Sequence, residues 1–248
     1  MNKVYKAHCE NLRTLKDAIS EIERTLRLAI AKRESNKEFY YTRILSQLIS
    51  NCNEVQLYKL LEENIFNSSK PIFETSEKKL ILGRPSLAEK WRSALSLAIC
   101  KGSQIPITIE IEQITKKLIP THRFRYTSLL ECIDNELLNS IQIRNKIAHG
   151  QWKYAFDDKL TQISTELTGS IRKENIVTLQ LRQKILDKLC QLIRDASISP
   201  KTFVRDFDMH FIQIENQRNN IHKRNYLKYK QNLINRFHNG ILKKEKAK

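Results

Sequence analysis

From Leu12 onward apolar residues return every three or four positions, at Leu15, Ile19, Ile22 and Leu26, which is the period of an amphipathic helix. The same spacing predicts one or two helices over Tyr40 to Leu61 and a helix over Ile176 to Ile198. Asn67 to Pro85 reads as a loop because Ser68-Ser69-Lys70-Pro71 and Gly83-Arg84-Pro85 punctuate it. Ser86-Leu87-Ala88-Glu89 then has the form of a capping box, opening a helix through Trp91, Leu95 and Leu97 that Gly102 closes. Between Gly102 and Pro120, Ile105, Ile107, Ile109 and Ile111 alternate like a strand, whereas Ile111, Ile114 and Leu118 fit a helix, and both readings stand. A long helix opens at Thr121 and breaks at Gly150, and Trp152 to Ser170 is less regular. Ser199-Pro200 supplies an N-cap with proline in the first turn, after which a final helix without a breaker extends to about Asn239.

These elements predict an all-α chain. Residues 1–199 read as a helical bundle domain and 200–248 as a basic helical extension packed on it. Five glycines and five prolines leave few turns, and 40% hydrophobic content at 248 residues suffices for one sizeable core.

Charge narrows the partners. Lys and Arg total 44 against 27 Asp and Glu, a net charge of +17, which favours a polyanion, nucleic acid before an acidic membrane. The start of the chain is amphipathic and polar rather than leader-like, and no apolar run approaches a bilayer span, so the expectation is a cytoplasmic protein without membrane contact. Cys9, Cys52, Cys100, Cys132 and Cys190 are scattered within helical patterns and read as small hydrophobes rather than disulfides. With no Cys-x-x-Cys pair and no histidine ligand spacing, no metal and no cofactor is expected.

The candidate chemistry lies in Ile143-Arg144-Asn145-Lys146-Ile147-Ala148-His149-Gly150. The stripe Leu130, Ile133, Leu137, Ile141 runs forward onto Arg144 and Ala148, placing a guanidinium where periodicity asks for a hydrophobe. A partly buried cation needs a partner. Ser140, Ile141, Ile147 and Ala148, its neighbours along the helix, offer no carboxylate, so the partner comes from another helix, another chain or an anionic ligand.

Arg144-Asn145, three further residues and then His149 resemble the Arg, four to six residues, His signature of the HEPN superfamily, including the polar residue that often follows its arginine. The resemblance implies a bundle of four or more helices with the motif near the end of a core helix. It also implies metal-independent endoribonuclease activity at a site formed between two domains, here a homodimer because only one motif is visible. A toxin–antitoxin or phage-defence role, with an antitoxin or regulatory protein as partner, belongs to the same implication. One subgroup of HEPN toxins carries Tyr two residues after the histidine. This chain has Gln151 there, which places it apart from that subgroup.

The residues suit such chemistry. Cutting RNA without a metal requires a base for the ribose 2′-hydroxyl, a cation for the pentacoordinate phosphate and an acid for the leaving 5′-oxygen. His149 is fit to exchange the proton, Arg144 to hold two phosphate oxygens, and Asn145 to orient the imidazole or bind substrate. The expected products are 2′,3′-cyclic phosphate and 5′-hydroxyl ends. On an ideal helix Arg144 and His149 diverge by roughly 140°, so they converge only where the helix unwinds or the arginine reaches round it. Lys146, Trp152 and Lys153 are candidate RNA contacts beside the motif, with core burial the competing role for Trp152. In the extension 12 Lys and Arg stand against 4 Asp and Glu. Lys223, Arg224, Lys228 and Lys230 fit either a phosphate-gripping arm or a solvated helix face whose aromatics are core. The alternative to an enzyme is a catalytically inactive HEPN-like module that binds RNA or a protein.

Overall fold

A computed structural model describes residues 3–66 and 68–246, and among them all regular secondary structure is helical. The alternating isoleucines form no strand: Gln104 turns at φ 55°, residues 105–110 carry no regular secondary structure, and α5 starts only at Ile111. Helices α1 (Lys3–Ala31) and α2 (Ser35–Leu61) make a hairpin whose turn places Arg33 at φ 60°. The stretch read as a loop contains α3 (Thr75–Leu82), while Asn67 lies outside the described residues. Eight residues are too few to display a period, and the carboxylate of Glu77 fixes the start by accepting from the Glu74 N–H at 2.7 Å.

In α4 (Leu87–Gly102) the Ser86 hydroxyl accepts from the Glu89 N–H, which is half of the expected capping box, while the Glu89 carboxylate pairs with Arg92. Gly102 is the last residue of α4, where the pattern closes the helix, and it has a second role. A Cβ there would stand 2.5 Å from the Phe203 ring, so glycine permits close approach of a later helix. After α5 (Ile111–Lys117), α6 (Pro120–Cys132) passes through a π-helical segment (Ile133–Leu138) into α7 (Asn139–Ala148). Next come α8 (Thr165–Lys173), α9 (Ile176–Ile198), α10 (Pro200–Lys223) and α11 (Tyr226–Lys246).

The single final helix is thus two. Arg224 leaves the helix with φ −80° and ψ 122°, and Asn225 restarts it by accepting the Lys228 N–H on its side chain at 3.1 Å. An asparagine cap ends one helix and opens the next without glycine or proline.

The largest core cluster joins Trp91 and Leu95 of α4, Tyr126 and Leu129 of α6, Leu137 of the π-helical segment, Leu186 and Leu189 of α9, and Phe203, Phe207 and Ile214 of α10. Each such side chain contributes about 1.5–3 kcal/mol when fully buried. The aromatics of the first part of the extension are therefore core. A second cluster packs α1 and α2 on Ile176, Leu179 and Leu181, with Tyr226, Tyr229 and Leu233 of α11 against its edge. A third, small cluster unites Ile143 and Ile147 of α7 with Ala155 and Ile171. No helix among the described residues is long and apolar enough to cross a membrane.

Candidate functional site

The π segment decides which side of α7 faces the core. Leu130, Ile133, Leu137 and Ile141 are buried, but beyond them Ser140, Ile143 and Ile147 occupy the interior, and Ala148 is exposed. The wider turn, bonded i to i+5, shifts the positions that follow, and a new neighbour, the Ala155 and Ile171 cluster, takes the flank that a regular helix would leave outside. Ala148 is the position where the extrapolated stripe fails. Arg144 falls between core and solvent, its side chain 23% exposed.

Its partner is Glu54 on α2, whose Oε2 lies 3.4 Å from Arg144 Nη2. Glu54 also accepts from the Tyr58 hydroxyl at 3.4 Å. Both contacts are long, and Arg144 Nε is buried without a hydrogen-bond partner. The guanidinium is held loosely at one edge and keeps unused donors.

His149 stands just past the end of α7, at φ −91° and ψ 20°, and is exposed. Gly150 adopts φ 76°, its N–H donates to Ile147 O at 3.0 Å, and the Gln151 N–H reaches Lys146 O at 2.9 Å. This is the Schellman ending, which needs a left-handed residue and so glycine. It fixes the backbone that carries the imidazole. Asn145 is exposed, and its main-chain oxygen accepts the His149 N–H at 3.2 Å. Among the described residues no hydrogen bond joins the side chain of Asn145 to His149, or that of Arg144 to either.

The residues around the motif divide. Lys146 is tied to the following loop, donating to Phe156 O at 2.7 Å with Asp158 at 3.6 Å, so it braces rather than lines an open cleft. Trp152 is half-buried, its indole N–H donating to Ile147 O at 3.0 Å while its own carbonyl accepts from Arg43 Nε at 3.2 Å. Lys153 is exposed. Gln151, where the toxin subgroup has tyrosine, accepts the Phe156 N–H at 2.8 Å and shapes the same loop.

Farther along, Lys223, Arg224 and Lys228 are exposed, whereas Lys230 pairs with Glu38 at 2.7 Å. The Tyr226 hydroxyl donates to the other Glu38 oxygen, and burial together with that carboxylate raises its pKa. Lys230 is thereby part of the α2–α11 contact.

Sequence reasoning misses Glu54 and Arg43, both on α2. Neither pairing has a local signal, since Arg144 and Trp152 lie far along the chain. Comparison with family models, curated proteins and solved structures found no match.

Proposed function

We propose that this protein is a metal-independent endoribonuclease of HEPN type, in which Arg144 steadies the scissile phosphate, His149 transfers the proton and Asn145 binds or orients substrate. What carries the reading is the joint placement of the motif: an arginine with unused donors beside Glu54, and an exposed histidine held just outside the helix by the Gly150 turn. A histidine freed from helical geometry is no longer bound to the divergence that an ideal helix imposes. The exposed imidazole and amide leave room for an RNA strand, and the net charge of +17 attracts one.

A single chain presents one histidine at this site, whereas the reaction needs both an acid and a base. Two chains meeting at their α7 ends complete the set, so the active species is a homodimer. Glu54 offsets the repulsion between facing Arg144 side chains. Lys153, Lys223, Arg224 and Lys228 supply general attraction for the RNA backbone. No cofactor enters the scheme. A role as the effector of a toxin–antitoxin or phage-defence system, working in the cytoplasm under an inhibitory partner, follows the resemblance of the motif.

The test is cleavage of RNA by purified protein in excess chelator, compared with Arg144→Ala and His149→Ala proteins of unchanged helical circular dichroism. Loss in both variants supports the assignment, and wild-type cleavage by either removes it. A second reading, an RNA-binding module without catalysis, is favoured by the missing hydrogen bond between Arg144 and His149, and intact RNA in that assay selects it.

A further inference from the structure

Away from the motif, a pocket of about 250 Å³ opens between the start of α2, the turn joining α8 to α9, and α11. Its lining includes Glu38, Arg43, Arg172, Lys173, Glu174 and Lys230. The volume is well beyond that of a lone oxyanion and just below the ~300–1,000 Å³ of small-molecule sites.

The inner wall is unusual in its loose ends. Arg43 is only 3% exposed; its Nε is spent on Trp152 O and its plane lies over the Phe39 ring at 4.8 Å, yet Nη1 is buried with no hydrogen-bond partner. Burial lowers the pKa of this guanidinium, against the pull of Glu174. Glu174 is 8% exposed, with Oε1 taken by Arg182 at 2.8 Å and Oε2 buried without a partner. An unsatisfied buried donor and acceptor each carry a desolvation cost. A ligand that brings an acceptor to Arg43 and a donor to Glu174 removes both costs.

The outer wall has a different chemistry. Arg172 and Lys173 are exposed, Arg172 lies over the Tyr154 ring at 5.1 Å, and no carboxylate among the described residues pairs with either. Lys230 stands at the same mouth, shared with Glu38. The 27-residue helix α2 adds the positive end of its dipole there, since no side chain caps its first turn and Ser35 borders the pocket.

A bare phosphate suits the mouth but not the floor, where the Glu174 carboxylate repels it. A neutral small molecule suits the floor but leaves the cations idle. We propose that this pocket is a nucleotide site: a phosphorylated nucleoside inserts the hydrogen-bonding edge of its base or ribose between Arg43 and Glu174 and sets its phosphate against Arg172 and Lys173. The nucleotide is either free or the 5′-phosphorylated end of an RNA, and both present the same groups.

The experiment is isothermal titration and thermal shift of the full chain with the four nucleoside 5′-monophosphates, inorganic phosphate, and a short RNA with or without a 5′-phosphate. The expected result is saturable binding of at least one monophosphate, ten-fold or more tighter than inorganic phosphate, and weakened ten-fold or more in Arg172→Gln, Lys173→Gln protein. Both residues are exposed, so this variant retains the fold, as circular dichroism will verify. If free nucleotides do not bind but the short RNA binds only when phosphorylated, and the double variant abolishes this, the RNA end is the ligand. The proposal fails if no nucleotide or phosphorylated RNA binds, if inorganic phosphate binds equally well, or if the double variant binds as wild type. His149→Ala protein should bind nucleotide normally, so this outcome and that of the ribonuclease reading separate.

Discussion

Arg144 Nη2 and Glu54 Oε2 stand 3.4 Å apart, joining α7 to the C-terminal third of α2 through one long ion pair. Such a contact neutralises the guanidinium without saturating it, because Nε remains without a partner. On the proposed reading, Glu54 holds the arginine before a phosphate arrives and yields it afterwards.

Glu54→Gln preserves an oxygen for the guanidinium and removes one negative charge. RNA should bind the variant more tightly, with a dependence of log affinity on log salt about 0.7 steeper for a single strand. Folding should hardly change, since the pair is partly solvent-screened. Filter binding across salt concentrations measures it. An unchanged slope would mean that Arg144 never reaches phosphate.

Gly150→Ala should destabilise the protein by about 1 kcal/mol, seen as a melting temperature lower by ~2–4 °C, because alanine resists the left-handed backbone of the turn. Nothing lies within 4 Å of the added methyl, so the cost is conformational rather than steric. Gly150→Asn should cost less. Cleavage should fall in both variants more than stability accounts for, because His149 precedes the turn; equal melting of alanine and glycine proteins would refute the Schellman assignment.

Replacing Lys223, Arg224 and Lys228 together by Gln should weaken RNA binding and flatten its salt dependence by about 2, while single-turnover cleavage at saturating RNA stays near wild type. Lys230→Gln should act otherwise, lowering stability by up to about 1 kcal/mol through loss of its contact with Glu38. Combined salt titration and thermal melts distinguish the two. A slope unaffected by the triple substitution would leave those cations as a solvated face.

How far the sequence exposes these relationships depends on whether the cause is local. Helix α9 has the bounds that the pattern predicts because its signals are adjacent to it: Asn175 caps its start, and Ser199-Pro200 stops it and caps the next helix. Partial burial of Arg144 is legible for the same reason, as a cation on an apolar stripe. Glu54 is not, since the two residues meet only through the packing of α2 on α7. The π segment is also hidden, because Ile133 and Leu137 satisfy an α-helical period equally well, and its effect appears only at Ala148. On α2 the hydrophobic spacing of Leu45, Ile49 and Leu57 shows the helix, but the buried polar residues Thr42, Arg43, Ser46, Ser50, Asn53 and Gln56 lie outside any hydrophobic pattern, so the pocket wall stays hidden. The Arg224-Asn225 break escapes because asparagine caps carry no mark as strong as glycine or proline.

If two chains complete the site, specific activity should fall on dilution in parallel with dissociation of the dimer, as followed by sedimentation and a fixed-time cleavage assay. A monomer that keeps full specific activity would show that one chain suffices.

The most direct measurement is the chemistry of the cut ends. Protein freed of metal by excess EDTA is incubated with a defined RNA, and the termini are identified by mass spectrometry, with His149→Ala protein purified identically as the control. The account predicts 2′,3′-cyclic phosphate and 5′-hydroxyl ends from the wild type and intact RNA from the variant. Products with 5′-phosphate, activity that returns only on adding magnesium, or equal cleavage by His149→Ala would contradict it.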